Sequence, residues 1–355
     1  MPKISVLMSA YNCGPYIVEA VSSISAQTYP NFEFLIIDDA STDDTWRKLQ
    51  QCTRNDGRIR LFQNSRNLGV AHSINTLIPK STGEYIARMD ADDIALPTRF
   101  EQQVAVLDSG KADLCGGWMT VFGTDTEVMW SAPSNDTEIK AGLLFTPMFS
   151  QPTVMLRREL MEQHQYDPST VPAEDYDLWV RMAPEAIMHN IPTPLVRYRI
   201  HPTQISARMQ QKQWESAASI ASKYLERTGL PFTEAERKIH TLISHPDPPA
   251  SINHVRATDD WFCKLLTVFN SKTEAQRIIA RMWYRYCLRA AALGPLVFWL
   301  FLRSPVTRCG AFRPWQYLAI FGLSALRVRH NSKLYRLLIV RSPASRVNSK
   351  LSNNT

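Results

Sequence analysis

Apolar and amphipathic segments alternate through the first hundred residues of the chain. Four short apolar segments predict buried strands, which cover Ile4–Met8, Phe32–Ile37, Arg58–Phe62 and Glu84–Ala87. Segments with apolar residues at helical spacing lie between them and predict helices, which cover Tyr16–Gln27, Asp44–Cys52 and Val70–Ile78. Strands that alternate with helices predict a parallel sheet wrapped by helices, with ligands at the carboxyl ends of the strands.

A polar cluster follows each of these predicted strands. The clusters are Tyr11-Asn12, Asp38-Asp39, Asn67–Gly69 and Asp90–Asp93. Because they share one edge of the predicted sheet, they favour a binding site over four unrelated turns. In the loop of the second cluster, Ser41 or Thr42 is also predicted to cap the helix that follows.

The fourth cluster places three carboxylates, Asp90, Asp92 and Asp93, in one loop. Like charges this close repel each other, so the loop is costly unless a cation or a hydrogen-bond network compensates. Mg²⁺ and Mn²⁺ take such oxygen ligands, usually one or two carboxylates together with substrate phosphates. The alternative is an acidic turn that only caps the helix predicted to begin near Pro97.

Several protein classes are disfavoured by what the sequence lacks. Neither G-x-G-x-x-G nor G-x-x-x-x-G-K-[ST] follows the first predicted strand, which disfavours a dinucleotide dehydrogenase and a P-loop nucleotidase. The six cysteines form no C-x-x-C and no Cys/His cluster, so a zinc site is not expected. Scattered cysteines of this kind fit a reducing cytosol.

Five motifs in order identify a family resemblance. They are Ile4-Ser-Val-Leu-Met-Ser-Ala-Tyr-Asn12, Gln27-Thr-Tyr-Pro-Asn-Phe-Glu33, Ile36-Ile-Asp-Asp-Ala-Ser-Thr-Asp-Asp-Thr45, Arg66-Asn-Leu-Gly69 and Met89-Asp-Ala-Asp-Asp93. Together they resemble family 2 glycosyltransferases over residues 1 to about 205. The resemblance implies an α/β GT-A fold, which is a Rossmann-like mixed sheet flanked by helices, and a nucleoside-diphosphate-sugar donor.

The resemblance also implies roles in nucleotide binding. Ala10, Tyr11 and Asn12 correspond to the turn that holds the nucleobase, although Tyr11 as a packing aromatic is the alternative. Asp39 corresponds to the acid that accepts a hydrogen bond from the base, with a helix cap as its alternative. The other residues implied in the nucleotide pocket are Ser41, Arg66, Asn67 and Gly69.

The same resemblance assigns the acidic loop to a Mn²⁺ or Mg²⁺ cofactor. Asp92 is the preferred metal ligand, and Asp90 is expected nearer the ribose or as a further ligand. Asp93 is left open as a supporting group. His201 is expected at the metal or the diphosphate, and a surface or strand-capping histidine is the alternative. Arg197 and Arg199, in the segment Val196–Ser206, are predicted to follow a strand and to suit a leaving diphosphate.

A second acidic cluster, Ala173–Trp179, is predicted to open an amphipathic helix. By itself this is an acidic first turn that the helix dipole stabilises. Beside the family motifs, Glu174-Asp175 matches the acidic pair of inverting family 2 enzymes. The resemblance makes Asp175 the general base that takes the proton of an acceptor hydroxyl, and Glu174 a group that orients the base or binds the acceptor.

The C-terminal part is predicted to be helical and differs sharply in charge. Residues 206–293 form a predicted helical extension, and residues 294–355 a basic apolar region. From Ala275 to Thr355 there are 14 Lys and Arg and no Asp or Glu, against 26 basic and 33 acidic residues before it. Short apolar runs among arginines predict an interfacial anchor on an anionic membrane. A buried helical hairpin, an oligomer contact or nucleic-acid binding are the alternatives.

These observations predict an inverting, metal-dependent glycosyltransferase. It would bind a UDP-sugar at residues 1–110, bind acceptor at residues 111–205, and transfer the sugar to a glycan or lipid-linked saccharide. The expected location is the inner face of a bacterial cytoplasmic membrane, in surface-polysaccharide or lipopolysaccharide synthesis. One alternative is a non-catalytic nucleotide-sugar-binding protein docked to the membrane. A nucleotidyltransferase is less favoured, because Ser9–Gly14 is not a Gly-rich, basic phosphate loop.

Overall fold

The computed structural model describes residues 1–124, 126–202, 204, 209–270, 272–330 and 332–335. Contacts within the chain divide it into two units. Unit 1 contains Met1–Asp136 and Met148–Gln213, and unit 2 contains Thr137–Pro147 and Trp214–Thr355. Residues 336–355 of the predicted C-terminal region, and Ile205 and Ser206 of the segment after Val196, lie outside the described residues.

Unit 1 is built on a nine-stranded mixed sheet with strand order β3-β2-β1-β4-β8-β6-β9-β5 and β7 paired with β6. The strands are β1 (Ile4–Ala10), β2 (Phe32–Asp38), β3 (Ile59–Gln63), β4 (Tyr85–Arg88), β5 (Ile94–Ala95), β6 (Leu114–Phe122), β7 (Val128–Trp130), β8 (Met155–Arg157) and β9 (Met188–Arg199). The four strands predicted from the sequence are parallel neighbours, as expected. Their carboxyl ends therefore share one edge.

Helices of unit 1 fill the connections between these strands. They are α1 (Ile17–Ser25), α2 (Thr45–Cys52), α3 (Val70–Leu77), α4 (Arg99–Asp108), α6 (Arg158–His164) and α7 (Glu174–Met182). The apolar side of α1 is buried in one core with β1 and β2. Because both faces of a parallel sheet are covered by such helices, β1 and β2 read as continuous apolar runs rather than alternating ones.

Unit 2 is helical in the residues that the structure describes. Its helices are α8 (Gln210–Arg227), α9 (Glu234–Ile243), α10 (Ile252–Leu266), α11 (Thr273–Ala290), α12 (Leu296–Arg303), α13 (Pro305–Cys309) and α14 (Pro314–Ala325). Thr233 and Glu236 form the predicted capping box at the start of α9. No helix among the described residues combines the length and apolarity needed to cross a membrane.

The division into units differs from the predicted one in three places, the first being that unit 1 ends at Gln213 rather than at residue 205. Helix α5 (Asp136–Gly142) and the segment after it leave unit 1 almost entirely, because Leu144 and Phe145 are buried in the helical core. The buried His240 contacts the carbonyl of Leu144 at 2.8 Å through Nε2. Residues 206–293 and 294–335 are also not separate, since Trp283 and Phe301 share one core.

Candidate active site

Hydrogen bonds join the loops that follow β1 and β2. The amide of Asn12 donates to Ser41 Oγ at 3.0 Å, and Asn12 Oδ1 accepts from the amide of Thr42 at 2.8 Å. The turn begins at the buried Ala10, and Tyr11 keeps 45% of its surface exposed. An exposed ring on a braced turn can pack against a planar ligand.

The predicted helix cap by Ser41 or Thr42 is wrong. Helix α2 begins at Thr45, and both side chains contact Asn12 instead. Asp43 Oδ1 accepts from the amide of Thr45 at 2.9 Å, which satisfies that helical donor. Ser41 and Thr42, which were predicted to cap the helix, therefore connect the loop after β2 to the loop after β1.

Asp39 joins the second loop to the loop after β3. Its buried carboxylate accepts three hydrogen bonds, from the side chain of Asn64 at 2.7 Å and from the amides of Leu68 and Gly69 at 2.9 Å and 2.8 Å. Gly69 has φ of 84°, which a residue with a side chain rarely adopts. Asp39 therefore holds the chain at the start of α3, where Gly69 is the N-cap residue, and its contact with a nucleobase stays a prediction.

Arg66 and Asn67 lie on that third loop, and both are exposed. Because Asp39 fixes Leu68 and Gly69 directly after them, their backbone is positioned while their side chains are open to a ligand. The predicted nucleotide residues are therefore brought together in three connected loops at one edge of the sheet.

In the acidic loop after β4, Asp92 contacts His201. Asp92 Oδ2 lies 2.9 Å from His201 Nε2, and the imidazole also packs on the ring of Tyr16 with centroids 4.6 Å apart. Both side chains are largely buried, with 22% of Asp92 and 11% of His201 exposed. The alternative of a surface histidine is wrong, because the imidazole is largely buried and contacts the acidic loop.

Asp93 faces the end of β9. Its Oδ1 accepts from the amide of Arg199 at 2.7 Å, and its Oδ2 is buried without a hydrogen-bond partner among the described residues. Burial, followed by the charges of Asp92 and Asp90, raises the pKa of Asp93 well above its usual range. Asp93 therefore supports the chain at Arg199.

Asp90 is held by a buried arginine that precedes it. Arg88 Nη2 lies 3.3 Å from Asp90 Oδ1, and Arg88 Nε donates to the hydroxyl of Tyr166 at 3.2 Å. Arg88 also donates to the carbonyl of Leu7. Burial raises the pKa of Asp90 to about 6, although Arg88 opposes the shift. The Asp90 carboxyl nevertheless keeps 31% of its side-chain surface exposed, so it remains open to a ligand.

Glu174 and Asp175 form the first turn of α7 and face the same cluster. Burial raises the pKa of Asp175 to about 7, and the charges of Glu174 and Asp90 add to the shift. Burial likewise raises the pKa of Glu174, whose Oε2 is buried without a hydrogen-bond partner among the described residues. Arg88 acts on the charges of both Asp90 and Glu174. The charges of the two predicted acidic clusters therefore act on each other.

Two cations predicted for the diphosphate have other partners. Arg197 and Arg199 lie on β9 rather than after it. Arg197 pairs with Glu127 at 2.5 Å, and Arg199 pairs with Glu19 and donates to the carbonyl of Asp92 at 2.8 Å. Arg199 thus holds the acidic loop in place, and its charge is already compensated.

The residues of the acidic loop fit a divalent cation. Asp92 Oδ2 and His201 Nε2 are in hydrogen-bond contact at 2.9 Å, which is close to the spacing of about 3.0 Å between neighbouring ligands that each lie about 2.1 Å from an octahedral ion. Among the described residues no three His, Cys, Asp or Glu side chains converge on one point. A hard ion bound with substrate phosphates needs only one or two protein ligands. Asp90 is paired with Arg88, and its role as a further ligand stays a prediction.

Sequence reasoning missed two residues of this site. Arg88 carried a usable signal, because an arginine inside an apolar strand directly before a carboxylate loop must find buried partners. No pattern in the sequence pointed to Tyr166. It is fixed by Asn75 of α3, whose side chain donates to its carbonyl at 2.9 Å and accepts from its amide at 3.0 Å.

Comparison with protein families and known sequences gives concordant matches. Residues 5–165 match glycosyl transferase family 2. An uncharacterized glycosyltransferase of Haemophilus influenzae is 32% identical over 246 residues, which cover 64% of this chain and 76% of that protein. A second relative, from Escherichia coli, is the UDP-Glc:alpha-D-GlcNAc-diphosphoundecaprenol beta-1,3-glucosyltransferase WfaP. WfaP is 29% identical over 209 residues, which cover 58% of this chain and 81% of that protein.

Two solved structures share the fold at low sequence identity. TarS of S. aureus, in complex with UDP-GlcNAc, has a TM-score of 0.54 and 16% identity over 90% of each chain. The mannosyltransferase PcManGT of Pyrobaculum calidifontis, in complex with GDP-Man and Mn²⁺, has a TM-score of 0.52 and 18% identity over 87% of this chain and 85% of that one. These likenesses agree with the GT-A fold, a mixed sheet flanked by helices.

Proposed function

This chain belongs to glycosyltransferase family 2, and on that premise we propose that it moves a sugar from a UDP-sugar to a hydroxyl of a lipid-linked saccharide with inversion at the anomeric carbon. One observation carries the proposal. The pKa of Asp175 is raised to about 7 at a site that it shares with Glu174 and Asp90, so this carboxylate can act as a base near neutral pH.

Asp175 would activate the acceptor. The acceptor oxygen attacks the anomeric carbon as Asp175 takes the hydroxyl proton, and the bond from that carbon to the diphosphate oxygen breaks. The products are the new glycoside and a nucleoside diphosphate. Attack opposite the leaving group inverts the configuration of the carbon. Glu174, whose buried Oε2 has no hydrogen-bond partner among the described residues, would accept a hydrogen bond from an acceptor hydroxyl.

The leaving diphosphate would lie at the acidic loop. Asp92 and His201 would hold a divalent cation, with Mn²⁺ or Mg²⁺ as the candidates, and the cation would neutralise charge that develops on the diphosphate. The chain's own contribution is to keep these two side chains in register, through Arg199 on the Asp92 carbonyl and Tyr16 on the imidazole.

The nucleoside would bind across the three connected loops. Tyr11 is exposed beside Asn12, and Asp39 fixes the loop that carries Arg66 and Asn67. UDP is the preferred nucleotide because the name of the E. coli relative states UDP-Glc. GDP is the competing nucleotide, since PcManGT was solved with GDP-Man.

The acceptor is proposed from the same relative, whose name states a diphosphoundecaprenol-linked sugar. A saccharide on such a lipid lies at a bilayer surface, in bacterial surface-polysaccharide synthesis. Peripheral association with the inner face of the cytoplasmic membrane is therefore part of the proposal. The charge of the C-terminal region supports it, because no Asp or Glu follows Glu274.

A panel of UDP-, GDP- and dTDP-sugars, assayed for donor hydrolysis and for transfer to a synthetic lipid-linked acceptor, tests the proposal. We expect UDP-sugars to be cleaved and Asp175→Asn to reduce transfer by at least about 10³-fold while UDP binding changes less than about twofold. Glu185→Gln, an exposed carboxylate after the same helix, is the matched control. Transfer that persists in Asp175→Asn would refute the assignment of the base.

A further inference from the structure

Exposed apolar side chains are concentrated on two helices of unit 2. Large hydrophobic residues that are at least 40% exposed recur at every third position of α12 and α14, and we call these six residues the apolar face. They are Leu296, Trp299 and Leu302 of α12, and Trp315, Leu318 and Phe321 of α14. Positions three apart lie on one side of a helix, so each helix presents a continuous apolar stripe.

The two stripes are connected. The rings of Phe298 and Phe321 lie 5.2 Å apart between centroids, and Phe298 also contacts Trp299 at 5.6 Å. The opposite sides of both helices are fully buried, as at Phe301 and Ile320. The apolar runs were predicted either to anchor the chain or to pack internally. One side of each helix packs in the core and the other side is exposed to solvent, and anchoring by the exposed side stays a prediction.

Cations lie close to this face along the chain, in a segment that itself contains no acidic residue. Arg303, at the end of α12, lies over the ring of Trp299 at 5.9 Å. Other exposed cations lie nearby in the chain, namely Arg308, Arg313, Arg327, Arg329 and Lys333. Because the last acidic residue of the sequence is Glu274, no carboxylate beyond it can neutralise them.

We propose that the apolar face is a docking surface for an anionic lipid bilayer, into which Trp299, Leu318 and Phe321 insert while the flanking arginines contact lipid phosphates. Exposed apolar area of this kind marks an interaction site, and aromatic and aliphatic residues ringed by cations are typical of helices that lie in the bilayer interface. A second copy of the chain is a poorer occupant, because a symmetric contact would bring like-charged arginines together.

The inference rests on the proposed function in one respect, namely that the proposed acceptor lies at a membrane. Membrane docking and glycosyl transfer are measured separately, so either proposal can fail without the other. The test is flotation of the full chain with vesicles of phosphatidylcholine alone or mixed with phosphatidylglycerol. We expect binding to the mixed vesicles only, weakened by salt. Leu318→Glu should reduce the partition coefficient roughly tenfold or more, and Arg303→Glu roughly fivefold or more.

Matched controls lie in the same unit. Leu242→Glu replaces an apolar residue of α9 that is 52% exposed, and Arg256→Glu replaces an exposed arginine of α10. Both should bind vesicles as the unaltered chain does, and donor hydrolysis in solution should be the same in all four variants. Failure to bind mixed vesicles, or equal losses in the controls, would overturn the inference. A concentration-dependent dimer that Leu318→Glu dissociates, without vesicle binding, would assign the face to a second copy instead.

Discussion

His201 Nε2 lies 2.9 Å from Asp92 Oδ2, although 109 positions separate the two residues in the chain. The contact joins the acidic loop after β4 to the chain just beyond β9. Strand β9 also pairs with β5, directly after the acidic loop, with Ile94 opposite Arg197. The pairing of the two strands thus sets the spacing of the proposed metal ligands.

His201→Ala should weaken Mn²⁺ binding without unfolding the protein. Removing one of two proposed protein ligands is expected to lower the affinity by about 10- to 100-fold or more, since even supporting groups cost that much. Isothermal titration of Mn²⁺ in the presence of UDP measures the change directly. His164→Ala, which removes a histidine paired with Glu185, is the control. Equal Mn²⁺ affinities in all three proteins would exclude His201 from the site.

Asp93→Asn should distinguish the structural role of Asp93 from the proposed ligand-binding roles of its neighbours Asp90 and Asp92. A folded-state pKa above the unfolded value means that the folded chain binds more protons, so Asp93 costs stability as pH rises above its unfolded pKa of about 4. Asparagine keeps an acceptor for the amide of Arg199 and carries no charge. The variant should therefore gain stability relative to the unaltered chain between pH 5 and pH 8, by about 1–3 kcal/mol.

Urea unfolding at the two pH values, with a chelator present, measures this gain. Asp93→Ala is the control, because it removes both the charge and the acceptor and should be the less stable variant at either pH. A loss of stability in Asp93→Asn that grows with pH would show that the ionised carboxylate stabilises the fold.

Much of the first half of the sheet could be predicted from the sequence. Strands β1, β2 and β4 are buried on both faces and therefore appear as short apolar runs, whereas β3, at the edge of the sheet, is only partly buried. Each of the four ends at a polar loop that the site uses. The later strands were harder to predict from the sequence. Arg197 and Arg199 lie inside β9, although they were expected after it, because a strand at the sheet's far side tolerates alternating polar residues.

The roles of individual carboxylates were less predictable than their location. Sequence spacing placed Asp90, Asp92 and Asp93 in one loop, and the partner of Asp90, Arg88, lies only two positions before it. The partners of the other two carboxylates come from distant positions that no local pattern connects to them, because Asp92 contacts His201 and Asp93 the amide of Arg199. Only the order of strands in the sheet brings these distant groups together.

Tyr166→Phe should destabilise unit 1 by about 1.5 kcal/mol, because the hydrogen bond from Arg88 to its hydroxyl involves a charged group. It should also lower kcat more than the affinity for UDP, since Arg88 acts on the charges of both Asp90 and Glu174. Denaturant unfolding and the kcat against KM comparison measure the two effects. Asn75→Ala frees the backbone of Tyr166 and should not be additive with Tyr166→Phe. Additive losses would show that the two contacts are independent.

The pH dependence of transfer should report Asp175 as a base whose pKa depends on Glu174. With a pKa of about 7, Asp175 is protonated below neutrality, so kcat/KM should fall about tenfold per pH unit there and level off above pH 8. Burial is the main cause of the shift, and the charge of Glu174 adds to it. Glu174→Gln removes that charge, so the midpoint of the profile should move to lower pH. Glu185→Gln should leave it in place. A midpoint that is unmoved in Glu174→Gln would mean that a group other than Asp175 limits transfer at low pH.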